Sequence, residues 1–123
     1  MKLIVNSKTI ELDLLNTKTA EIISNSAKFS SSISTWGDEV YFKTPINAVK
    51  LEKNARDTMV FGEVAYWVEG KSIAIGFGKT PASINTEIRL VSKVNIWAKF
   101  DTKVYSINFF RSIKDGDTII LLN

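Results

Sequence analysis

The strongest constraint on the fold of this sequence is a succession of short β-type segments that fills most of its length. β-branched, aliphatic and aromatic residues are concentrated in short runs, and turn-forming or polar residues separate these runs. In one of them Ile10, Leu12 and Leu14 alternate with Glu11 and Asp13, as in a strand with one buried face. The predicted strands are 3–6, 9–15, 38–43, 48–52, 63–68, 72–77, 87–91, 94–100 and 118–122.

Helical patterns are confined to two places. Asn16 or Thr17 is suited to cap a helix, because either side chain accepts a hydrogen bond from a first-turn N–H, and apolar residues follow at helical spacing. Within 107–113 apolar residues recur three apart, which predicts a second, short helix. The polar segment 30–35, of sequence SSSIST, is predicted to be a loop.

These elements predict a mainly all-β protein. About eight short strands would leave exposed edges in an open sheet, whereas closure into a barrel removes them. We therefore predict a closed eight-stranded β-barrel with one or two short helices capping its ends. A length of 123 residues and the absence of any linker or repeat predict one domain, 1–123.

The residue types that are missing restrict the chemistry severely. The sequence contains neither Cys nor His, which excludes disulfides, the usual zinc sites, cysteine nucleophiles and a histidine general base. No calcium-loop spacing occurs either. We expect no metal and no cofactor, and any catalysis must come from Lys, Arg, Tyr, Asp, Glu, hydroxyl groups or the backbone.

The charge distribution indicates which partners to expect. The net charge is +3, and the basic residues are dispersed along the chain instead of forming a stripe, so a nucleic-acid partner is not predicted. No apolar run is long enough for a membrane span, and the first residues lack the apolar region of a signal peptide. The expectation is a cytoplasmic protein whose partner is a peptide or a small molecule.

The segment IAIGFGKTPAS, residues 73–83, resembles a phosphate-binding loop only superficially. A P-loop would need glycine at position 73, which is Ile73, and a dinucleotide fingerprint would need glycine at position 81, which is Pro81. Phosphate loops also open a helix, whereas another β-type run follows here. We predict instead a strand that bends at Gly76 and Gly78, presents Phe77 and leaves the barrel after it.

Four sequence blocks in a fixed order resemble the small prokaryotic cyclophilin-like proteins, a family mostly of uncharacterised function. The blocks are TWGDEVYFKTP at 35–45, GEVAYW at 62–67, FGKTP at 77–81 and VN at 94–95. The resemblance extends over nearly the whole chain. The sequence departs from the family pattern at Val68 and Glu69, at Gly76, at Leu90 and Val91, and at Trp97 and Ala98.

The resemblance implies a cyclophilin-like barrel, and it suggests peptidyl-prolyl isomerase activity by analogy of fold alone. Authentic cyclophilins use a catalytic arginine near a phenylalanine and a glutamine. The corresponding stretch here contains no Arg and no Gln. The resemblance therefore favours a protein that binds a peptide or small ligand without efficient isomerase activity.

The candidate site residues follow from the chemistry of such a pocket. An apolar wall and a few hydrogen-bond donors are what a proline ring or a similar ligand requires. The predicted ligand-binding residues are Phe42, Tyr66, Trp67, Phe77, Thr80 and Asn95, and the catalytic candidates are Arg89, Glu39 and Tyr41. The competing interpretation is that most of the aromatic residues fill the barrel core. Trp36, beside Gly37, is expected to be more exposed.

Two enzymatic alternatives remain open at this point. The first is a prolyl isomerase in which Arg89 is a relocated hydrogen-bond donor. The second is a component of an enzyme that acts on small lactam- or urea-type substrates, with Glu39 or Glu63 as the general base. Such an enzyme would require a partner subunit, and the sequence does not predict the oligomeric state.

Overall fold

A computed structural model describes residues 1–123 as a curved β-sheet with two short helices. The strands are β1 Lys2–Val5, β2 Lys8–Glu11, β3 Asp13–Leu14, β4 Phe29–Thr35, β5 Glu39–Lys43, β6 Arg56–Met59, β7 Glu63–Trp67, β8 Ser72–Gly76, β9 Ile88–Lys99 and β10 Thr118–Leu122. The helices are α1 Lys18–Ser26 and α2 Ile107–Arg111. Neither helix has the length and apolar character that crossing a membrane requires.

The sheet closes on itself through one bent segment of chain. The strand order is β2-β1-β10-β4-β5-β8-β7-β9-β3, and all pairings are antiparallel. Its two ends, β2 and β3, are separated in sequence only by Leu12. Counting β2 and β3 as one bent strand gives eight strands around the barrel, so the predicted eight-stranded barrel is confirmed.

The interior of the barrel follows from strand alternation. On β5, Val40 and Phe42 point into a cluster of 24 buried apolar residues, whereas Glu39 and Tyr41 point outward. Trp97 is completely buried in the same cluster. Helix α2 closes one end of the barrel, where Phe110 stacks on Phe77 at a centroid distance of 5.8 Å.

Both helices begin at side-chain caps. Thr17 accepts a hydrogen bond from the N–H of Ala20 at 3.0 Å, which confirms the predicted start of α1. Ser106 accepts one from the N–H of Phe109 at 3.2 Å and begins α2. The helix predicted from the apolar spacing near residue 107 is therefore present.

The strand β9 takes part in two different strand pairings. Its second half pairs with β7 in the barrel, from Tyr66↔Asn95 to Glu63↔Lys99. Its first half leaves the barrel and pairs with β6. The resulting ribbon covers the outer face of the sheet and encloses a second, smaller apolar cluster there. The fully buried members of that cluster are Met59, Ala65, Ala74, Leu90 and Val94.

Three local predictions were wrong. The polar segment 30–35 is part of β4, because Ser30, Ser32 and Ser34 are exposed while Ile33 is buried and the backbone pairs with β5 and β10. Residues 48–52 form a loop and not a strand, and the N–H of Glu52 donates to the side chain of Asn95 instead of to a neighbouring strand. The two strands predicted within 87–100 are one continuous strand, β9.

Candidate ligand pocket on the outer face of the barrel

A cavity of about 180 Å³ lies on the outside of the barrel, beneath the β9 ribbon. Six of its seven lining residues are hydrophobic, and the seventh is a glutamate. The lining residues are Trp36, Glu39, Tyr41, Trp67, Leu90, Val91 and Val94. Three of these six are aromatic, so the cavity has aromatic walls, and we call it the outer pocket.

Strand geometry places the aromatic walls of the outer pocket. Tyr41 lies on the outward face of β5, and Trp67 lies at the end of β7. Their rings are nearly perpendicular, with an interplanar angle of 88° and a centroid distance of 6.4 Å. The indole N–H of Trp67 donates to the Ser92 hydroxyl at 2.9 Å, which fixes the orientation of its ring.

The segment that resembled a phosphate loop supports the wall that carries Trp36. The N–H of Asp38 donates to the carbonyl of Lys79, and the N–H of Phe77 donates to the carbonyl of Asp38, both at 2.8 Å. Gly37 has a φ of +59°, and a Cβ there would lie 2.9 Å from the Lys79 carbonyl oxygen. The two chain segments therefore approach too closely for a larger residue at position 37.

Gly76 is paired with Glu39 in the sheet and keeps the ribbon close to it. A Cβ at Gly76 would lie 2.5 Å from a methyl carbon of Ile88, which is the first residue of β9. A side chain at this position would therefore push the ribbon outward. Because Gly76 has no side chain, the ribbon, which forms one wall of the outer pocket, stays near the barrel.

Glu39 has the most unusual environment of any charged side chain in the structure. The residue as a whole is only 8% exposed, and its carboxylate makes no hydrogen bond and no salt bridge, although its oxygen atoms still have access to solvent. Burial raises the pKa of Glu39 from 4.5 to about 7, because the charged form is poorly solvated in the pocket. The outer pocket therefore contains a carboxylate that no group of the protein neutralises.

Arg89 does not line the outer pocket. Its guanidinium donates to Glu87 at 2.6 and 3.0 Å and lies 2.7 Å from a carboxylate oxygen of Asp57. These two carboxylates occupy the donors that a relocated isomerase arginine would need. Of the three catalytic candidates, only Glu39 and Tyr41 are brought together.

The aromatic residues Phe42, Tyr66 and Phe77 lie in the interior of the barrel. All three belong to the central apolar cluster and are 5% exposed or less. The hydroxyl of Tyr66 donates to the carbonyl of Ile46 at 3.0 Å, and burial raises its pKa. These three aromatic residues are therefore core residues, as the competing interpretation holds. They do not line the outer pocket.

Thr80 and Asn95 are both buried and form hydrogen bonds within the fold. The hydroxyl of Thr80 donates to the carbonyl of Arg89, and its N–H donates to Ser83 at 2.9 Å. The amide of Asn95 accepts from the N–H of Glu52 and donates to Thr19 and to the carbonyl of Lys50, at 2.8 to 3.0 Å. These contacts fix a turn and a loop, and neither residue lines the outer pocket.

Glu63, the other candidate general base, is paired with Arg56. Burial acts to raise the pKa of Glu63, but hydrogen bonds from the Arg56 guanidinium and from the N–H of Val60 lower it overall. The shortest of these contacts joins Arg56 Nη2 and Glu63 Oε2 at 2.5 Å. A carboxylate held in this way is a weak proton acceptor, which leaves Glu39 as the better-placed base.

Besides Trp36, which was expected only to be more exposed, three residues of the outer pocket were missed from sequence: Leu90, Val91 and Val94. They lie on the part of β9 that leaves the barrel, and Val91 is 62% exposed. The available signal was the Leu90-Val91 pair, where the sequence departs from the pattern of the family it resembles. That signal marks a change of surface, but it does not show that the surface encloses a cavity.

Comparison with known proteins agrees with the barrel and its closure. The chain matches the family model described as Cyclophilin-like over residues 1–122, and it belongs to the cyclophilin-like family. It is similar to the solution structure of the hypothetical protein AF2241 from Archaeoglobus fulgidus, with 31% sequence identity and a TM-score of 0.79. The match covers 98% of this chain and 91% of that one. No curated protein shows significant similarity to the chain.

Proposed function

We propose that this cyclophilin-like chain binds a small ligand, or a short segment of a peptide, in the outer pocket and is not an efficient prolyl isomerase. The observation that carries the proposal is the largely buried residue Glu39, whose carboxylate has no partner in the protein, within an aromatic-walled cavity. Perturbed ionisable groups in concave, mostly apolar pockets are typical of binding and catalytic sites.

The energetics support a functional role for Glu39. An ionised carboxylate that is buried without a partner destabilises the fold, and an apolar residue would fill the same position without this cost. Strand alternation alone does not require an acidic residue on this face, because the neighbouring wall residues are hydrophobic. A bound molecule that interacts with the carboxylate offsets the cost.

The size of the cavity restricts what enters it. An apolar protein cavity of roughly 150 Å³ holds a molecule as large as benzene. A volume of about 180 Å³ therefore accommodates one ring or one compact head group. The outer pocket fits the end of a small molecule or a single side chain of a peptide.

The lack of a guanidinium in the outer pocket supports the absence of efficient isomerase activity. The barrier to amide rotation is roughly 20 kcal/mol, and a catalyst must stabilise the twisted amide by a well-placed donor. Arg89 is held by Asp57 and Glu87 outside the pocket. The ionisable groups in the wall are the hydroxyl of Tyr41 and Glu39, which donates only when protonated, and neither carries a positive charge.

A second candidate function rests on the pKa of Glu39. A carboxylate with a pKa of about 7 is suited to accept a proton near neutral pH, as a general base does. Such a base supports the alternative that the chain is a component of an enzyme for small lactam- or urea-type substrates. NMR can follow the ring opening of a lactam. For this candidate to stand, the native protein must catalyse that reaction and Glu39→Gln must lose the activity.

Chemical-shift mapping tests the binding proposal. Proline-containing peptides and a set of small metabolites are titrated into labelled protein, and we expect shifts at Trp36, Tyr41 and Trp67. Val91→Phe should block the pocket and abolish them, whereas Val104→Phe, at another exposed valine, should not. Shifts that are absent, or that survive in Val91→Phe, would contradict the proposal.

A further inference from the structure

We propose that the occupant of the outer pocket is an organic cation, such as a primary or quaternary ammonium group, held between the aromatic rings with Glu39 as its counter-ion. This inference rests on the proposed function and specifies its ligand. It depends on three properties of the pocket: the sign of its charge, the chemistry of its walls and its volume.

The charge of the pocket selects a cation. Glu39 is the only charged side chain in the lining, and no lysine or arginine of the chain forms a salt bridge with it. An anionic ligand would meet an ionised carboxylate with no basic group to compensate. A neutral ligand would leave the carboxylate without a counter-charge, or would require its protonation.

The charged residues nearest in sequence to the pocket are already engaged or exposed. Asp38 accepts from Arg111 at 3.2 Å, and Arg89 is bound by Asp57 and Glu87. Lys93 lies on β9 with its side chain exposed. None of these groups lines the cavity, and Tyr41 is the only other ionisable side chain that does.

The aromatic walls are complementary to a positive charge. A cation within roughly 6 Å of an aromatic ring is attracted to its electron-rich face, and tryptophan gives the strongest attraction. The perpendicular rings of Tyr41 and Trp67, with Trp36 as a further wall, enclose the space beside Glu39 from more than one direction. A desolvated ammonium group would contact both the rings and the carboxylate.

The volume of about 180 Å³ is compatible with a trimethylammonium head group or a small alkylammonium. The side of the pocket formed by the ribbon is apolar, because it consists of Leu90, Val91 and Val94. Methyl groups on the nitrogen would therefore contact apolar atoms while the charge faces Glu39. This combination favours alkylated ammonium ions over strongly hydrated inorganic cations.

Calorimetric titration with choline and its neutral isostere, in which a carbon atom replaces the quaternary nitrogen, tests the inference. At pH 8 we expect choline to bind at least about tenfold more tightly than the isostere. Glu39→Gln should reduce the affinity for choline to about that of the isostere. The matched variant Glu11→Gln, at an exposed glutamate on the far strand β2, should leave it unchanged.

The pH dependence gives an independent readout. Choline has a fixed charge, so its affinity should follow the ionisation of Glu39 and be about five- to tenfold lower at pH 6 than at pH 8. Binding near pH 7 should also release protons, which titrations in buffers of different ionisation enthalpy detect. Glu39→Gln should remove both effects.

The possible outcomes separate this inference from the proposed function. Equal affinity for choline and the isostere would overturn the proposal that the ligand is a cation, but it would still support the proposal that the outer pocket binds a ligand. If proline peptides or neutral metabolites shift the NMR signals of Trp36, Tyr41 and Trp67 while choline does not bind, the cation is likewise overturned and the ligand pocket remains. If neither choline nor any member of the screening set binds, both proposals fail.

Discussion

Replacing Glu39 by glutamine should stabilise the protein at alkaline pH and have little effect at acid pH. Glutamine has nearly the same shape as protonated glutamic acid but never ionises. The native carboxylate has a pKa of about 7 in the folded protein, against an ordinary value of 4.5. At about 1.4 kcal/mol for each pH unit, this difference corresponds to about 3 kcal/mol.

The sign follows from proton binding. Between pH 4.5 and about 7 the folded protein retains a proton on Glu39 that the unfolded chain has lost. The free energy of unfolding therefore falls as the pH rises through this window, and above it the full destabilisation is present. Glu39→Gln removes this dependence, so its advantage should grow from near zero at pH 4 to about 3 kcal/mol at pH 8.

Urea unfolding, monitored by tryptophan fluorescence at a series of pH values, measures this difference. In thermal unfolding, the same difference of about 3 kcal/mol corresponds to a rise in the midpoint Tm of roughly 10 °C at pH 8 for a domain of this size. Glu11→Gln serves as the control, because its exposed pair with Lys2 should contribute little. A difference between Glu39→Gln and the native protein that stays constant from pH 4 to pH 8 would refute the argument.

Three further predictions concern the supports of the pocket and its chemistry. Gly76→Ala should destabilise the fold by about 1–3 kcal/mol in urea unfolding, because the new methyl group would collide with Ile88; an unchanged midpoint would contradict this. Asn95→Ala should cost about 2–4 kcal/mol, since three hydrogen bonds to a loop and to α1 are lost, and hydrogen exchange should accelerate at residues 50–52. In a protease-coupled assay the native protein and Arg89→Ala should both show the uncatalysed rate of prolyl isomerisation; a faster rate that Arg89→Ala abolishes would restore the isomerase alternative.

The sequence was sufficient to predict the barrel because strand alternation and turn residues are local signals. The alternation at Ile10 and Leu12, both buried, and the capping residue Thr17 describe elements that the structure contains, whereas Leu14, which the same alternation predicted to be buried, is 42% exposed. The same local signals were inadequate where tertiary contacts decide the outcome. Residues 48–52 have the composition of a strand, but the side chain of Asn95 binds their backbone and holds them as a loop.

The candidate site was only partly predictable for a related reason. On β5 a period of two separates Glu39 and Tyr41 from Val40 and Phe42, yet aromatic residues occur on both faces. Nothing in the alternation shows which face is inside. The sequence therefore indicated an aromatic-lined pocket and the residue types in it, but it could not distinguish core aromatics from pocket aromatics.

By itself, the sequence determined the cap of α1, the membership of a barrel family, the exclusion of histidine and cysteine chemistry, and most of the strands, although not β4 or β6. The tertiary structure decided that β9 leaves the barrel halfway along its length and covers the outer face. That path brings Leu90 and Val94 over a glutamate that is distant in sequence, and it buries most of that residue without a partner for its carboxylate. Burial is a property of segments brought together by folding, so the feature that defines the outer pocket exists only once the barrel has closed.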